Sequence, residues 1–326
     1  MSDRTPAIGT PAIAMLDMQG PMPHAKIRSL ARFGLTTADA PKLSNFYQNA
    51  LGFRVLGVER RSGPDFTRLM GVESGALAII LGLGDEVIEL QQFDRPGRSY
   101  PGEATSSDLC FQHFAIVVAD MQLAHQKLVS VPDWTAISTD GPQQLPASSG
   151  GVTAFKFRDP DGHPLELLAF PNGKLPALWQ ARSTGNLSLG IDHSAISVSD
   201  SADSIAFYEG LGLRVTARSL NTGPAQERLD AIRADRVEVT ALAPEKPTPH
   251  LELLCYRAVK RNGFAAVRSD DVAATRLVFE ADRPSLEDAN APQGLLDLDG
   301  HRLIIAAPAS ASDTGLSQSS TESEYR

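Results

Sequence analysis

Two histidines and two glutamates occupy matching places in two similar stretches of this chain. His113 in FQHFAIVVAD is followed by Glu166 in PLELLAF, and His193 in GIDHSAISVSD is followed by Glu252 in HLELLCY. Imidazole nitrogens and carboxylate oxygens are ligands that borderline divalent cations accept in proteins. The same two residue types at matching points therefore predict a paired His/Glu metal site.

These stretches belong to a sequence unit that recurs four times. In every copy a strand residue precedes an Asp by seven positions: Arg32 and Asp39, His113 and Asp120, His193 and Asp200, Thr275 and Asp282. Because Asp is a favoured helix N-cap, and apolar residues at helical spacing follow it, the unit is predicted to run from a strand into a helix. The fourth copy is truncated, since only 14 residues separate Asp282 from Asp297, too few for a helix and two strands.

Each unit closes on a short apolar strand, and in three of the four this strand carries a central glutamate. Side chains alternate faces along a strand, so Glu166 and Glu252, each between two leucines, face away from them. If the leucines pack on the helices, both carboxylates lie on the opposite face of the sheet. A single His or Glu on a strand is often just exposed at an edge, so it is the joint placement of all four residues that favours a metal.

Units with His on the first strand, an Asp-Pro-Asp-Gly-His turn at 159–163 and Glu on the last strand resemble those of the vicinal oxygen chelate superfamily. That superfamily includes glyoxalase I, epimerases, extradiol dioxygenases and bleomycin- or fosfomycin-resistance proteins. The resemblance covers residues 28–308 and implies an α+β fold, in which four βαβββ units, the fourth truncated, form two cupped mixed β-sheets with helices on their outer faces. His163 and His301, at the ends of two such turns, are expected to be exposed.

The resemblance also divides the chain into domains. We expect a disordered tail at 1–27, a first domain at 28–172 with units 28–98 and 110–172, a linker at 173–189, a second domain at 190–308 with units 190–258 and 273–308, and a disordered tail at 309–326.

In that superfamily two units form one sheet, and a metal lies in its trough between ligands from the first and last strands of both units. If neighbouring units pair, as in the dioxygenases, neither trough has a full ligand set. If unit two pairs with three and unit one with four, as in monomeric four-unit glyoxalases, one trough holds His113, Glu166, His193 and Glu252, and the other holds Arg32, Glu89, Thr275 and Ile304. We favour the second pairing, with an ion pair between Arg32 and Glu89 in place of a metal.

The resemblance implies glyoxalase-like chemistry, an isomerase, lyase or epimerase type of proton transfer through an enediolate on an oxygen-rich small molecule. In the glyoxalase pattern one ligand glutamate is also the base, here Glu166 or Glu252, and the metal is Zn, Ni, Co, Mn or Fe(II) with positions left open. An Fe(II)-dependent extradiol-type dioxygenase is an alternative that Lys156 disfavours, because those enzymes have a Tyr at its position. A non-catalytic drug-binding or resistance protein is another. The substrate and any use of glutathione stay open.

Composition limits the partners. A net charge of −9 without a basic run favours small molecules over nucleic acid or an anionic membrane. No apolar run is long enough to cross a bilayer, and the N-terminus does not read as a signal peptide. Cys110 and Cys255 lie in apolar strands, as expected for thiols in a reducing compartment. These features predict a cytoplasmic protein, as a monomer or a homodimer.

Overall fold

The structure, a computed structural model, describes residues 26–234, 236–262, 264–282 and 292–308. The two predicted disordered tails lie outside these ranges, except for Lys26 and Ile27, the last residues of the first tail. Ile27 already begins the first strand. Within the described ranges no helix combines the length and apolar character needed to cross a bilayer.

Two mixed β-sheets and six α-helices form the described part of the chain, which confirms the α+β fold that the resemblance implies. In spatial order the seven strands of the first sheet are β15 (Gln293–Leu296), β16 (Arg302–Ala306), β14 (Thr275–Ala281), β1 (Ile27–Thr36), β4 (Glu86–Phe93), β3 (Ala76–Leu83) and β2 (Arg54–Arg61). The second sheet contains, in order, β11 (Arg214–Asn221), β12 (Arg236–Ala243), β13 (His250–Arg257), β10 (Ser188–Ser197), β5 (Gln112–Val118), β9 (Pro164–Ala169), β8 (Thr153–Arg158) and β6 (Thr135–Ala136), with β7 (Gln143–Gln144) also paired to β8. The helices are α1 (Ala40–Leu51), α2 (Pro64–Met70), α3 (Met121–Val129), α4 (Ala177–Arg182), α5 (Ser201–Gly210) and α6 (Pro224–Asp230).

The first sheet combines units one and four, and the second combines units two and three. β1 pairs antiparallel with β14, and β5 pairs antiparallel with β10. The favoured pairing is therefore confirmed. Each sheet takes one unit from each of the predicted domains 28–172 and 190–308, so the sheets do not follow that division, which stays a prediction.

Helix caps explain why strand and helix follow each other in units one to three. The carboxylates of Asp39, Asp120 and Asp200 accept hydrogen bonds from backbone N–H groups in the first turns of α1, α3 and α5. These bonds satisfy donors that would otherwise lack a partner at a helix start. The three helices therefore begin directly after the strands that carry the trough residues.

One hydrophobic core contains side chains from both sheets and from α1, α3 and α5. The rings of Phe33 on β1 and Phe114 on β5 stack at 5.5 Å, and Tyr47 of α1 stacks on Phe114 at 6.4 Å. Because side chains alternate along a strand, the residues next to these apolar ones face away from the core. The opposite face of each sheet is left free to form a trough.

The expectation that His163 and His301 are exposed was wrong, since both are buried. Nε2 of His163 lies 2.9 Å from the carbonyl oxygen of Thr36, and Nε2 of His301 lies 2.9 Å from that of Ser197. In each case the carbonyl belongs to a first strand in the other sheet. The turn packs against that strand, so its histidine satisfies a buried carbonyl and has a structural role.

Candidate metal centre

The four predicted ligands lie on four neighbouring strands of the second sheet. His113 and His193 are on the central antiparallel strands β5 and β10, two residues apart in register. Glu166 and Glu252 are on the flanking strands β9 and β13. Glu166 is aligned with Ala115 and Glu252 with Ala195, and each alanine lies two residues after the histidine of its unit. Since residues two apart share a face, all four side chains line one cavity of ≈ 200 Å³.

The side chains approach each other closely in this cavity. Nε2 of His113 lies 3.1 Å from a carboxylate oxygen of Glu166, and Nε2 of His193 lies 3.6 Å from one of Glu252. Ligand atoms of His113, Glu166 and His193 all lie within 4.8 Å of one another. Glu252 joins this cluster through His193, and with 23% of its side chain exposed it is the least enclosed of the four.

His113 has buried nitrogens without a hydrogen-bond partner. Its side chain is 1% exposed, and among the described residues neither ring nitrogen has a hydrogen-bond partner. Burial, and then the charge of Lys156, lower the pKa of His113, so its imidazole is held neutral. A neutral imidazole with a free lone pair is the form that binds a metal.

Lys156 and Asp230 stand beside the cluster, and the sequence analysis missed their part in it. The Lys156 ammonium donates to Asp230 at 2.6 Å and lies 3.9 Å from a carboxylate oxygen of Glu166. Burial alone would lower the pKa of Lys156, but Asp230 and then Glu166 raise it, so the side chain stays charged. The signal was a lysine in the apolar strand TAFKFR, directly opposite Glu166 in register.

Asp230 comes from α6, a helix that was not predicted. Gly223 is the N-cap of this helix and Pro224 its first residue, as Gly63 and Pro64 are for α2, and Pro is favoured in the first turn of a helix. The repeated Gly-Pro pair was therefore a usable sign of a short second helix in units one and three. α2 and α6 border the troughs of the two sheets.

Two further residues contact His193 from its own unit. Its Nδ1 lies 3.0 Å from a carboxylate oxygen of Asp192, and its ring centroid lies 5.3 Å from that of His250. Burial would lower the pKa of His193, but Glu252 and Asp192 raise it to about 9. Asp192 thus orients the imidazole so that Nε2 is directed to Glu252, as carboxylates do for metal-binding histidines.

The charge balance of the cluster suits a divalent cation. Four carboxylates, of Asp192, Glu166, Glu252 and Asp230, share the cluster with the ammonium of Lys156. The cluster thus has two net negative charges while His193 carries its proton and three once metal binding displaces it. Two nitrogen and two oxygen ligands next to this excess negative charge fit a borderline divalent ion. The residues present therefore fit the metal that the sequence pattern predicts.

The trough of the first sheet has a different set of residues. Arg32, Glu89 and Ile304 line it as expected, but Thr275 does not. Arg276 takes the predicted place of Thr275, because it lies opposite Gly34 in the β1–β14 register just as His193 lies opposite Ala115. Thr275 was placed by counting seven residues back from Asp282, as in the other three units. Asp282 instead forms an ion pair with Arg28 at 2.6 Å, so the count was a poor guide here.

The expected contact between Arg32 and Glu89 is present but long. Nε of Arg32 lies 3.8 Å from the buried Glu89 carboxylate, whereas Nη1 of Arg61 lies 2.7 Å from it. Arg61, on the edge strand β2 and separated from β4 by β3, is thus the main ion partner of Glu89.

Comparison with known proteins agrees with this fold. The profile of the Glyoxalase/Bleomycin resistance protein/Dioxygenase superfamily matches residues 29–167. No curated protein sequence matched the chain.

Solved structures match over most of the chain. The E144Q mutant of glyoxalase I from Zea mays is 17% identical and aligns over 87% of this chain and 95% of its own, with a TM-score of 0.55. Unmutated Zea mays glyoxalase I is 18% identical over 87% of this chain and 93% of its own, with a TM-score of 0.53. A putative dioxygenase from Bacillus subtilis is 11% identical over 86% of both chains, with a TM-score of 0.52. At these identities the likeness shows a shared fold. Residues 29–167 thus match the glyoxalase, bleomycin resistance protein and dioxygenase superfamily, also called the vicinal oxygen chelate superfamily, and most of the chain shares its fold with these structures.

Proposed function

We propose that the protein is a metal-dependent, glyoxalase-like enzyme that moves a proton on an oxygen-rich small molecule. The observation that carries this proposal is the pair of buried, unpartnered nitrogens of His113 beside the carboxylate of Glu166 and the imidazole of His193. A buried polar atom without a partner costs about 1–3 kcal/mol, so an arrangement like this points to a missing ligand.

His113, Glu166, His193 and Glu252 would hold one divalent cation, chosen from Zn, Ni, Co, Mn and Fe(II). When bound, such an ion supplies a Lewis acid that lowers the free energy of negative charge on a substrate oxygen. Of the two glutamates, Glu166 is held in place by its neighbours, whereas Glu252 has room to move.

Glu252 is the better candidate for the base that takes the proton from carbon. Glu166 is enclosed between the His113 imidazole and the Lys156 ammonium, so it is held in place. The carboxylate of Glu252 is the more exposed of the two, so it can reach a substrate and return. Loss of the proton leaves an enediolate, and protonation at the neighbouring carbon completes an isomerisation.

The cavity favours a small substrate and limits water. Its volume of ≈ 200 Å³ is below the range of about 300–1,000 Å³ common for small-molecule pockets. Apolar side chains such as Leu168, Leu229 and Leu254 form part of its wall. A dry wall of this kind strengthens the interactions of the carboxylates with a bound substrate. The two cysteines are free thiols, which fits action in the reducing cytoplasm.

Lys156 distinguishes this site from that of an extradiol-type dioxygenase. It stands at the position where the resemblance implies a Tyr, and its ammonium is already engaged by Asp230. We therefore place proton transfer ahead of ring cleavage.

Metal content measured by elemental analysis tests the proposal first. The purified chain, reconstituted with each of the five ions and desalted, should retain about one ion per molecule. The double variant His113→Ala/His193→Ala should lose it, whereas His125→Ala, a histidine of α3 outside the cluster, should not. No retained ion in the unchanged protein would refute the metal-dependent mechanism and favour a binding or structural protein.

Exchange of a carbon-bound proton tests the base. In D₂O and at saturating metal, hemithioacetals and 2-oxoacyl thioesters should gain deuterium next to the carbonyl, and catechols should not be cleaved. Glu252→Gln should abolish the exchange. If Glu252→Gln exchanges as fast as the unchanged protein while Glu166→Gln does not, the two glutamates have the opposite roles.

A further inference from the structure

The trough of the first sheet encloses a cavity of ≈ 720 Å³, more than three times that of the His/Glu cluster. No part of the proposed chemistry uses it. Its lining contains five arginines, Arg32, Arg60, Arg61, Arg68 and Arg276, against two acidic residues, Asp65 and Glu89. Arg60, Arg61 and Arg68 are paired with carboxylates, so Arg32 and Arg276 are the two that can receive an anion. In a chain with a net charge of −9, this concave basic surface would attract anions.

The same four register positions that hold His, Glu, His and Glu in the second sheet hold other residues here. Arg32 and Arg276 take the places of the two histidines. Arg32 lies two residues before Gly34, which is aligned with Glu89, and Arg276 lies two residues before Val278, which is aligned with Ile304. Glu89 and Ile304 take the places of the two glutamates. Arginine has no lone pair to offer and is always charged, so this trough cannot hold a cation in the same way.

Arg276 has free donors at the wall of the cavity. The residue is 2% exposed. Its Nη1 donates to Thr36 and to the Ser269 carbonyl oxygen, whereas Nε and Nη2 have no partner among the described residues. Burial lowers the pKa of Arg276 to about 10, despite the nearby Glu89, so at neutral pH the guanidinium remains charged.

The free edge of Arg276 is the edge that binds carboxylates elsewhere in this chain. Arg257 donates to the two oxygens of Glu238 through Nε at 3.0 Å and Nη2 at 2.8 Å. Arg268 does the same to Asp270, at 3.0 and 2.8 Å. A planar carboxylate matches these two parallel N–H groups. In Arg276 the same pair has nothing to bind.

The other residues that line the cavity indicate which further groups a ligand should have. Phe66 and Met70 of α2, with Val278 and Ile304 of the sheet, form an apolar wall. The Oε1 atom of Gln91 is a buried acceptor without a partner among the described residues. A ligand that suits this cavity therefore has an apolar body and a hydrogen-bond donor as well as its negative charge.

We propose that this trough is a binding site for a small-molecule carboxylate with an apolar body and one N–H or O–H donor. The carboxylate pairs with the Nε and Nη2 groups of Arg276 and with Arg32, whose side chain is 42% exposed and only loosely paired with Glu89. The apolar body packs on Phe66 and Ile304. The chain thus has two troughs of opposite preference, one for a cation and one for an anion.

Isothermal titration calorimetry with indole-3-acetate, which has a carboxylate, an N–H group and an apolar ring, tests the proposal on the full chain. EDTA is present throughout, so that the probe cannot bind through a metal in the other trough. We expect one molecule bound per chain, with indole-3-acetamide at least ten times weaker because it lacks the charge. Absence of binding at millimolar probe, or equal affinity for acid and amide, overturns the proposal. Tighter binding of phenyl phosphate than of the acid overturns the carboxylate assignment.

Variants locate the binding. Arg32→Gln should weaken indole-3-acetate at least tenfold, and Arg214→Gln, an exposed strand arginine outside both cavities, should leave the affinity unchanged. Ile304→Phe changes the apolar wall on which the body of the probe packs and should also weaken binding. Its thermal unfolding shows whether the fold is kept, and Arg32 is exposed enough for its variant to fold in any case. Unchanged affinity in Arg32→Gln would show that the probe binds elsewhere and would overturn the site.

Discussion

Replacement of Lys156 by Met should destabilise the protein by about 3 kcal/mol, because it leaves a buried carboxylate without its counter-ion. Asp230 is 2% exposed, and loss of one partner of a buried ion pair costs about 3–5 kcal/mol. Asp230 keeps two hydrogen bonds, from Gln226 at 2.7 Å and Tyr256 at 3.0 Å. These place the expected cost at the lower end of that range.

Urea unfolding at pH 7 with EDTA present measures this cost. For an m-value of about 3 kcal/mol/M, the midpoint should fall by about 1 M without a change in m. Lys127→Met, at an exposed position on α3, should stay within about 0.5 kcal/mol of the unchanged protein.

The double variant Lys156→Met/Asp230→Leu decides whether the ion pair is the reason. With both charges gone the carboxylate of Asp230 is no longer buried without its counter-ion, so the double variant should be more stable than Lys156→Met alone by about 1–2 kcal/mol. If Lys156→Met costs less than about 1 kcal/mol, or if the two substitutions simply add, the pair is not a buried, coupled one and the reasoning is wrong.

Two further predictions concern residues outside the troughs. Tyr47→Phe should lower the free energy of unfolding by about 1–3 kcal/mol, because its hydroxyl donates at 3.0 Å to the buried carboxylate of Asp159, which urea unfolding would show; an unchanged midpoint would contradict it. Burial would raise the pKa of Asp271, but hydrogen bonds from Arg98 and backbone N–H groups lower it to about 2. The ionised carboxylate therefore stabilises the fold above about pH 4, and this contribution is lost as the pH falls from about 4 to 2. Asp271→Asn should therefore cost about 1–2 kcal/mol at pH 7, with allowance for solvent screening, and the difference from the unchanged protein should disappear in unfolding measured near pH 2; a difference that persists there would show that the charge is not its cause.

The repeated sequence unit, together with its resemblance to the vicinal oxygen chelate superfamily, predicted the fold and its unusual pairing. The Asp caps after the first strands and the central glutamates on the last strands both recur at fixed places, and each depends on local chemistry that a single sequence displays. Because only one pairing brings His113, Glu166, His193 and Glu252 into one trough, the residue types themselves favoured that topology. The strand order agrees with it.

What could not be predicted depends on contacts between distant parts of the chain. Lys156 and Asp230 are 74 positions apart, and nothing local marks them as partners. Thr275 was assigned by counting to Asp282, but strand register is set by cross-strand packing, which places Arg276 in the trough instead. His163 was taken for an exposed turn residue because the packing of its turn against the other sheet has no local sign.

The two proposed sites suggest how one scaffold acquires opposite binding preferences without loss of the fold. The apolar neighbours of Glu89 and of Ile304 on their strands are as completely buried as those of Glu166, so the core face of each last strand is the same whatever the trough face carries. A change from His to Arg at a trough position therefore alters charge and ligand chemistry while the core that stabilises the sheet is untouched. Glu89 shows the limit of this freedom: as a buried carboxylate it must have a counter-ion, and Arg61 provides it where the second sheet has the His/Glu cluster. The proposed cation site and the proposed anion site are thus two solutions to one constraint, that a buried charge in the trough must be balanced.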